Sequence, residues 1–473
     1  VPRRHLRLRS HNGAELRAGF AKVRAELELP EGFPEAVEAE AAAALSEVAT
    51  PSYDVTSLPF LTIDPPGSMD LDQAMHIERR NGGYRVRYAI ADVGSFVRPG
   101  GAIDEEARRR GETLYSPDTR TPLHPPSLSE GAASLLPGQV TPALLWTIDL
   151  DDSGEERAVD VRRAVVRSVD RFDYAGVQSM IDAGTGDERL QLLAEVGRLR
   201  KEQEVERGGI SLPIPEQEVI EDGKHFRLAY RVPLEVESWN EQISLLTGMA
   251  AAGLMLHAEV GVLRTLPAAP EEEIRKLRRA AQVLDVSWPD GKSYAEVIRG
   301  LDPANPRHAA LLEDATTLLR GAGYTAFDGG VPARATHAAV AAAYAHATAP
   351  LRRLVDRFVG EVCLAVCAGD EVPEWVRAAL PELPGRMADS DRRAGELERE
   401  CVALMEAVVL RDSVGQVFDA AVVELNNKGG GTVQLREPAV RGNCEGDLPL
   451  GEAVRVRLVE ADVEKRSVRF ALA

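Results

Sequence analysis

The spacing of apolar positions changes character along the chain. Up to about residue 56 it is helical. Leu16, Phe20, Val23 and Leu27 form one stripe, Pro30-Glu31-Gly32-Phe33-Pro34 interrupts it, and Val37, Ala41, Leu45 and Val48 form a second. Two short helices across a tight turn make either a helix-turn-helix or a plain helical hairpin. From about Leu58 alternation takes over. Residues 84–90 alternate like a strand behind the Asn81-Gly82-Gly83 turn. Residues 144–150 read as another strand, closed by Asp151-Asp152-Ser153-Gly154, and residues 157–169 are strand-rich. Helical spacing then governs residues 187–207, 235–260, 270–284, 307–320, 334–346, 351–368 and 386–411. Strands first and helices later predict an α+β domain. After Arg411-Asp412 short alternating segments return, among them 414–424, 432–435, 453–459 and 467–472, separated by Gly, Asn and Asp. Short strands at that density suit a five-stranded barrel of the OB type. The pattern divides the chain into a small helical N-terminal domain (1–56), a mixed domain (57–412) and an all-β C-terminal barrel (413–473).

Composition narrows the class. The chain has 473 residues, 44% hydrophobic and 28% charged, which is ordinary for a globular protein of two to four domains. It contains no apolar run of about 18 residues, so no membrane partner is expected. The start, Val1-Pro2-Arg3-Arg4-His5, leads into no apolar segment of the kind a signal peptide carries. Cys363, Cys367, Cys401 and Cys444 fit neither a metal knuckle nor a redox pair and read as buried thiols in a reducing compartment, the cytoplasm. The net charge of −19, from 56 basic and 75 acidic residues, argues against a basic nucleic-acid-binding surface. It leaves room for one channel lined with arginine. Arg162-Arg163 with Arg167 and Arg171, Arg352-Arg353 with Arg357, and Arg392-Arg393 are local clusters that a solvated face would also explain.

The stretch richest in chemistry is Leu61-Thr62-Ile63-Asp64-Pro65-Pro66-Gly67-Ser68-Met69-Asp70-Leu71-Asp72-Gln73-Ala74. Asp64, Asp70 and Asp72 stand close together, and Pro65, Pro66 and Gly67 force the chain between them into a tight loop. Crowded carboxylates repel one another unless a cation neutralises them. Magnesium takes oxygen ligands and keeps several waters, which leaves room for a phosphate. Taken alone, the loop is also compatible with a solvated acidic turn.

In its wider context the loop resembles the catalytic loop of the ribonuclease II/R (RNB) family, and further segments follow in that family's order. These are Ile90-Ala91-Asp92-Val93; Leu114-Tyr115; Pro122-Leu123-His124-Pro125-Pro126-Ser127-Leu128-Ser129 with Ser134-Leu135; Tyr344-Ala345-His346-Ala347-Thr348-Ala349-Pro350-Leu351-Arg352-Arg353; and Arg392-Arg393 with Glu398-Arg399-Glu400. The resemblance spans about residues 57–412, and the barrel-like tail agrees with it. It implies a mixed catalytic domain with an RNA channel. It further implies a magnesium-dependent 3′→5′ exoribonuclease that hydrolyses single-stranded RNA to nucleoside 5′-monophosphates in RNA degradation and processing, working as a monomer. The runner-up is a catalytically weakened RNA-binding relative of the same family.

The resemblance also assigns roles. Asp64, Asp70 and Asp72 become metal ligands or water-orienting groups, with Asp72 the aspartate most critical for turnover. Arg352 becomes the phosphate clamp, because a guanidinium fork binds phosphate oxygens bidentately and does not deprotonate. Arg353 joins it on the RNA. Glu398 matches a glutamate near the 3′ end and is expected in catalysis. Tyr115 matches a tyrosine that stacks on the terminal bases, a contact that tolerates any base.

Three departures from the family pattern matter. A fourth aspartate is expected directly after the position of Asp72, and Gln73 stands there; its carbonyl oxygen remains a possible ligand. Gly209-Ile210-Ser211-Leu212-Pro213 lacks the ring expected opposite Tyr115. Cold-shock-type barrels are expected before the catalytic loop, where this sequence has a helical unit. A wider entrance follows, which would also admit RNA with short 3′ overhangs. Phe418 and Phe470 are the only aromatics of the C-terminal barrel, so its hold on RNA would be mostly electrostatic.

Overall fold

A computed structural model describes residues 14–212, 216–222, 225–231, 233–426, 429–435 and 437–473. The first five residues and Pro213, discussed above, lie outside the described residues.

Five strands form a closed barrel: β1 (Phe60–Ile63), β2 (Gln73–Arg80), β3 (Gly83–Ala91), β4 (Val140–Asp151) and β5 (Glu156–Phe172). Neighbours in sequence pair antiparallel, and β1 closes the ring by lying parallel to the end of β5. The β2–β3 hairpin needs Gly83, which has φ 150°; a Cβ there would stand 2.0 Å from the Leu150 carbonyl oxygen. Side chains alternate between two cores. Val86, Tyr88, Ile90, Leu144, Trp146 and Ile148 join one, whereas Ala89, Ala91, Ala143 and Leu145 join the other. The alternation described above for residues 84–90 and 144–150 is therefore that of barrel strands with both faces covered, and the whole has the mixed α+β character that the sequence predicts.

Six helices matter for the site: α1 (Ala14–Glu26), α2 (Glu35–Glu47), α3 (Ala102–Arg110), α4 (Glu235–His257), α5 (Leu354–Ala368) and α6 (Leu383–Leu410). Both α4 and α5 contribute to the larger of the two cores, through residues such as Trp239, Leu246, Phe358 and Val362. The two N-terminal helices pack neither as a helix-turn-helix nor as a hairpin. Leu16, Phe20 and Val23 of α1 meet Leu397 and Leu404 of α6, where Gly19 lets the helices approach closely. Val37 and Ala41 of α2 instead pack toward α3 in the core that holds Ile103. Each apolar stripe has its own partner, and the Pro30–Pro34 break lets them diverge.

Residues 334–346 correct a second expectation. They form no helix; Thr336–His337 and Ala342–Ala343 pair as a small hairpin with Ala341 at φ 55°. The alanines favour a helix, but tertiary hydrogen bonds hold this backbone extended: Ile210 N–H donates to Ala339, Arg264 N–H to Tyr344 and Ala345 N–H to Gly248. Residues 266–322, which link strands Val260–Thr265 and Gly323–Asp328, fold into short helices around Leu277, Ile298, Leu311 and Leu318.

The C-terminal barrel has five strands: β6 (Val417–Asn426), β7 (Gly430–Leu435), β8 (Arg441–Glu445), β9 (Ala453–Asp462) and β10 (Ser467–Leu472). Their order is β6-β7-β8-β10-β9, closed by β6 on β9, with β8 and β10 parallel. Of its two aromatics, Phe470 is fully buried in the barrel core.

Candidate active site

The loop that joins β1 to β2 carries the three aspartates. Gly67, at φ 82°, completes a tight turn in which Ser68 N–H donates to the Pro65 carbonyl. Ser134 pins the far side: its hydroxyl donates to the Met69 carbonyl at 2.6 Å and accepts from Leu71 N–H at 2.9 Å. Leu135 N–H donates to the Leu71 carbonyl, and Ala91 N–H to that of Asp72. Asp64 leaves β1 with its N–H on the Phe172 carbonyl of β5.

Asp72 is 5% exposed, and its Oδ1 accepts the Leu351 N–H at 2.8 Å. Arg352 Nε stands 3.4 Å from Oδ2, with the arginine side chain 44% exposed. Burial raises the Asp72 pKa to about 8, against the pull of Arg352 and of the Leu351 N–H. Burial likewise raises Asp64 to about 6, opposed by Arg352 and Arg171 and reinforced by Asp70. Asp70 is held by Arg120, with Nη1 2.7 Å from Oδ1, and it accepts a long 3.3 Å bond from the Tyr115 hydroxyl. The second edge of the Arg120 guanidinium goes to Glu130.

Tyr115 and Arg120 face each other across a hairpin of two-residue strands, Leu114–Tyr115 and Arg120–Thr121. The segment before it bridges to the arginine segment: Thr113 N–H donates to the Arg352 carbonyl and Leu354 N–H to that of Gly111. Asp64, Asp70, Asp72, Tyr115 and Arg352 are thereby brought to one place. Arg353 is adjacent but turned to another partner: it forks onto Asp356 (3.0 and 2.8 Å), whose Oδ1 also accepts Ala349 N–H at 2.7 Å. This ion pair braces the loop and commits the Arg353 guanidinium to Asp356. Glu398 lies half-buried on α6, the helix packed behind Leu114–Tyr115.

The amide of Gln73 is engaged at both ends. Nε2 donates to the Thr348 carbonyl at 2.6 Å, and Oε1 accepts from the Tyr88 hydroxyl, 2.7 Å away. Among the described residues, no three acidic, histidine or cysteine side chains stand close enough to form a ready-made metal cage. Arg120 draws Asp70 aside, and Leu351 and Arg352 occupy Asp72. The donor set still suits a hard cation, since burial disfavours the charged forms of Asp64 and Asp72 and a divalent ion beside their oxygens would favour them.

Sequence reading missed Arg120 and Asp356, and it placed Ser134 in a family-like segment without giving it a role. Arg120 had a signal, because Ser116-Pro117-Asp118-Thr119 between Tyr115 and Arg120 is a turn sequence that sets the flanking residues opposite each other. Asp356 had a weaker one, three residues beyond Arg353 at the start of a helix.

Comparison with known proteins adds to this geometry. Residues 52–367 match the RNB domain family, and residues 416–473 match the RNase II-type exonuclease C-terminal S1 domain. The chain is 26% identical over 501 residues to ribonuclease R of Escherichia coli, covering 94% of this chain and 61% of that protein. It is 27% identical over 498 residues to ribonuclease R of Aquifex aeolicus, covering 94% of this chain and 68% of that protein. The chain thus spans about three fifths of the length of the Escherichia coli relative. Its fold superposes on the apo form of Mycoplasma genitalium RNase R with a TM-score of 0.88 at 18% identity, covering 98% of this chain and 79% of the other. No helix among the described residues is long and apolar enough to cross a membrane.

Proposed function

The chain belongs to the RNB family, and on that premise we propose that it is a magnesium-dependent 3′→5′ exoribonuclease acting in RNA degradation and processing. Its substrates would be single-stranded RNA and RNA with short 3′ overhangs, and its products nucleoside 5′-monophosphates. It would work in the cytoplasm as a monomer.

One observation carries the reading. Two desolvated carboxylates, Asp64 and Asp72, share a loop with Asp70, and a half-exposed arginine lies 3.4 Å from Asp72. Buried acid beside accessible guanidinium suits a phosphate neutralised from both sides. Asp64, Asp70 and Asp72 would hold magnesium, which when bound lowers the pKa of its water and offsets phosphoryl charge. Asp70 would first have to leave Arg120.

The chain's own groups do the rest. Arg352 binds the non-bridging oxygens of the terminal phosphodiester, where negative charge grows during displacement. The Leu351 N–H fixes the Asp72 carboxylate and so the direction in which it offers its other oxygen. Tyr115 stacks on the terminal bases without choosing among them. Glu398 orients the 3′ end from α6.

The test is RNA labelled at either end, incubated with magnesium or with a chelator. A 5′ label should shrink one nucleotide at a time, and a 3′ label should appear at once as mononucleotide, with magnesium only. Internal cuts would refute the exonuclease reading. Binding without release would select the weakened relative, which Gln73 and the Arg120–Asp70 pair favour as the second reading.

A further inference from the structure

Helix α1 lies outside both matched regions, 52–367 and 416–473, yet it reaches the site. Arg24, in its last turn, forks onto Asp118, with Nη1 2.7 Å from Oδ1 and Nη2 3.3 Å from Oδ2. Nη1 also donates to the Ser116 hydroxyl at 3.1 Å. Ser116 and Asp118 form the tip of the hairpin that presents Tyr115 and Arg120 to Asp70. The pair is largely withdrawn from water, with side chains 20% and 8% exposed.

That hairpin has little to hold it by itself. Its strands are two residues long, and the turn adds one further backbone bond, Ser116 N–H to the Thr119 carbonyl. An isolated ribbon of this size is not stable in water. Helix α1, in contrast, is firmly seated. Leu16, Phe20 and Val23 share a core with Leu114, with Leu397 of α6 and with Phe470 of the C-terminal barrel. Arg466, between β9 and β10, pairs with Glu26 of α1 and Glu400 of α6. The helix therefore wedges between α6, the barrel and the hairpin tip.

We infer that Arg24 is a positioning residue for the 3′-end site: through Asp118 and Ser116 it fixes the Tyr115–Arg120 hairpin at the height where Tyr115 meets the terminal base. The N-terminal helix is then a working part of the catalytic body. The inference rests on the proposed stacking role of Tyr115. A loosened hairpin weakens the hold on the last bases but leaves Asp72 and Arg352 in place. The defect should therefore fall on KM rather than kcat. It should be largest for RNA too short to be held elsewhere along the channel.

The experiment compares Arg24→Gln and Asp118→Asn with the wild type on a tetranucleotide and on a long single strand. With stacking and hairpin order both at stake, KM for the tetranucleotide should rise about tenfold, with kcat and the long-strand KM nearly unchanged. Two backgrounds separate positioning from bulk stability. Arg24→Asp and Asp118→Arg should each raise the tetranucleotide KM, and together restore it. In Tyr115→Ala, adding Arg24→Gln should change nothing further, because the ring it positions is gone. An unchanged tetranucleotide KM in a variant that melts like the wild type overturns the inference. So does a charge-swapped double no better than its worse single, or an additive effect in Tyr115→Ala. If the wild type releases no nucleotide, the exonuclease reading has failed; the brace is then read from the affinity of a fluorescent tetranucleotide, with the same comparisons.

Discussion

Replacing Asp356 with asparagine changes almost no volume, yet it should destabilise the protein and slow it. Asp356 is 1% exposed and its carboxylate receives three hydrogen bonds: Ala349 N–H and Arg353 Nη2 on Oδ1, and Arg353 Nε on Oδ2. Asparagine keeps the first oxygen but turns an amide N–H toward the Arg353 Nε–H, and the guanidinium loses its counter-charge. Breaking a buried ion pair costs about 3–5 kcal/mol. Arg353 keeps 19% of its side chain in water, which places the loss nearer about 2–4 kcal/mol. In a domain of this size that is a fall in Tm of about 3–5 °C. The rate should suffer separately. The same carboxylate anchors the Ala349 N–H, two residues before the Leu351 N–H that fixes Asp72. A slackened loop misplaces both Arg352 and Asp72, and small misplacements of reacting groups cost about tenfold to a hundredfold. Circular dichroism melts and single-turnover cleavage of labelled RNA measure the two effects. A variant with wild-type Tm and wild-type single-turnover rate would refute the account of how the arginine loop is held.

Other changes test other parts. Arg352→Ala should slow single-turnover cleavage by about a hundredfold or more while RNA affinity changes little, because its contact strengthens as charge develops. A loss of affinity with an unchanged rate would remove it from the clamp. Gln73→Glu keeps the side-chain length but cannot donate to the Thr348 carbonyl, so at saturating metal the rate should fall about tenfold. An undiminished rate would show that this amide ties nothing together. Asp314, outside the site, has its pKa raised to about 6 by burial and then by Glu424 and Glu313. The folded state therefore binds the proton more tightly than the unfolded one, and Asp314 costs stability progressively as pH rises from about 4 to about 6. Asp314→Asn should melt higher than the wild type at pH 7 and equally at pH 4. A constant difference across that range would contradict the shift.

How far the sequence could be read depended on how local each feature was. The aspartate loop was legible because Pro65, Pro66 and Gly67 leave the chain few choices. The C-terminal barrel was legible because its strands are short and punctuated, although β8 was hidden by the polar Arg441-Gly442-Asn443. Helical spacing misled at residues 334–346, whose alanines carry a propensity overridden by the N–H groups of Ile210 and Arg264, which donate to this segment, and by the Gly248 carbonyl, which accepts from Ala345 N–H. The first barrel was hidden for a related reason. Its closure is the parallel pairing of β1 with the far end of β5, about a hundred residues away, and no local pattern announces such a contact. The same distance concealed the partners of the site. Asp72 was picked out by its neighbours in sequence, but its hydrogen-bond donor is Leu351. Gln73 was weighed as a ligand because it stands where the family pattern has a fourth aspartate, whereas its amide bridges Tyr88 and Thr348.

Release of labelled mononucleotide from 3′-labelled single-stranded RNA, by wild type and by Asp72→Asn side by side, tests most directly whether Asp72 and its neighbours cleave RNA from the 3′ end with magnesium. The account predicts release by the wild type in magnesium, none in chelator, and a loss of about a hundredfold or more in Asp72→Asn with RNA binding retained. Release by Asp72→Asn within about tenfold of the wild type, or undiminished release in chelator, would contradict it.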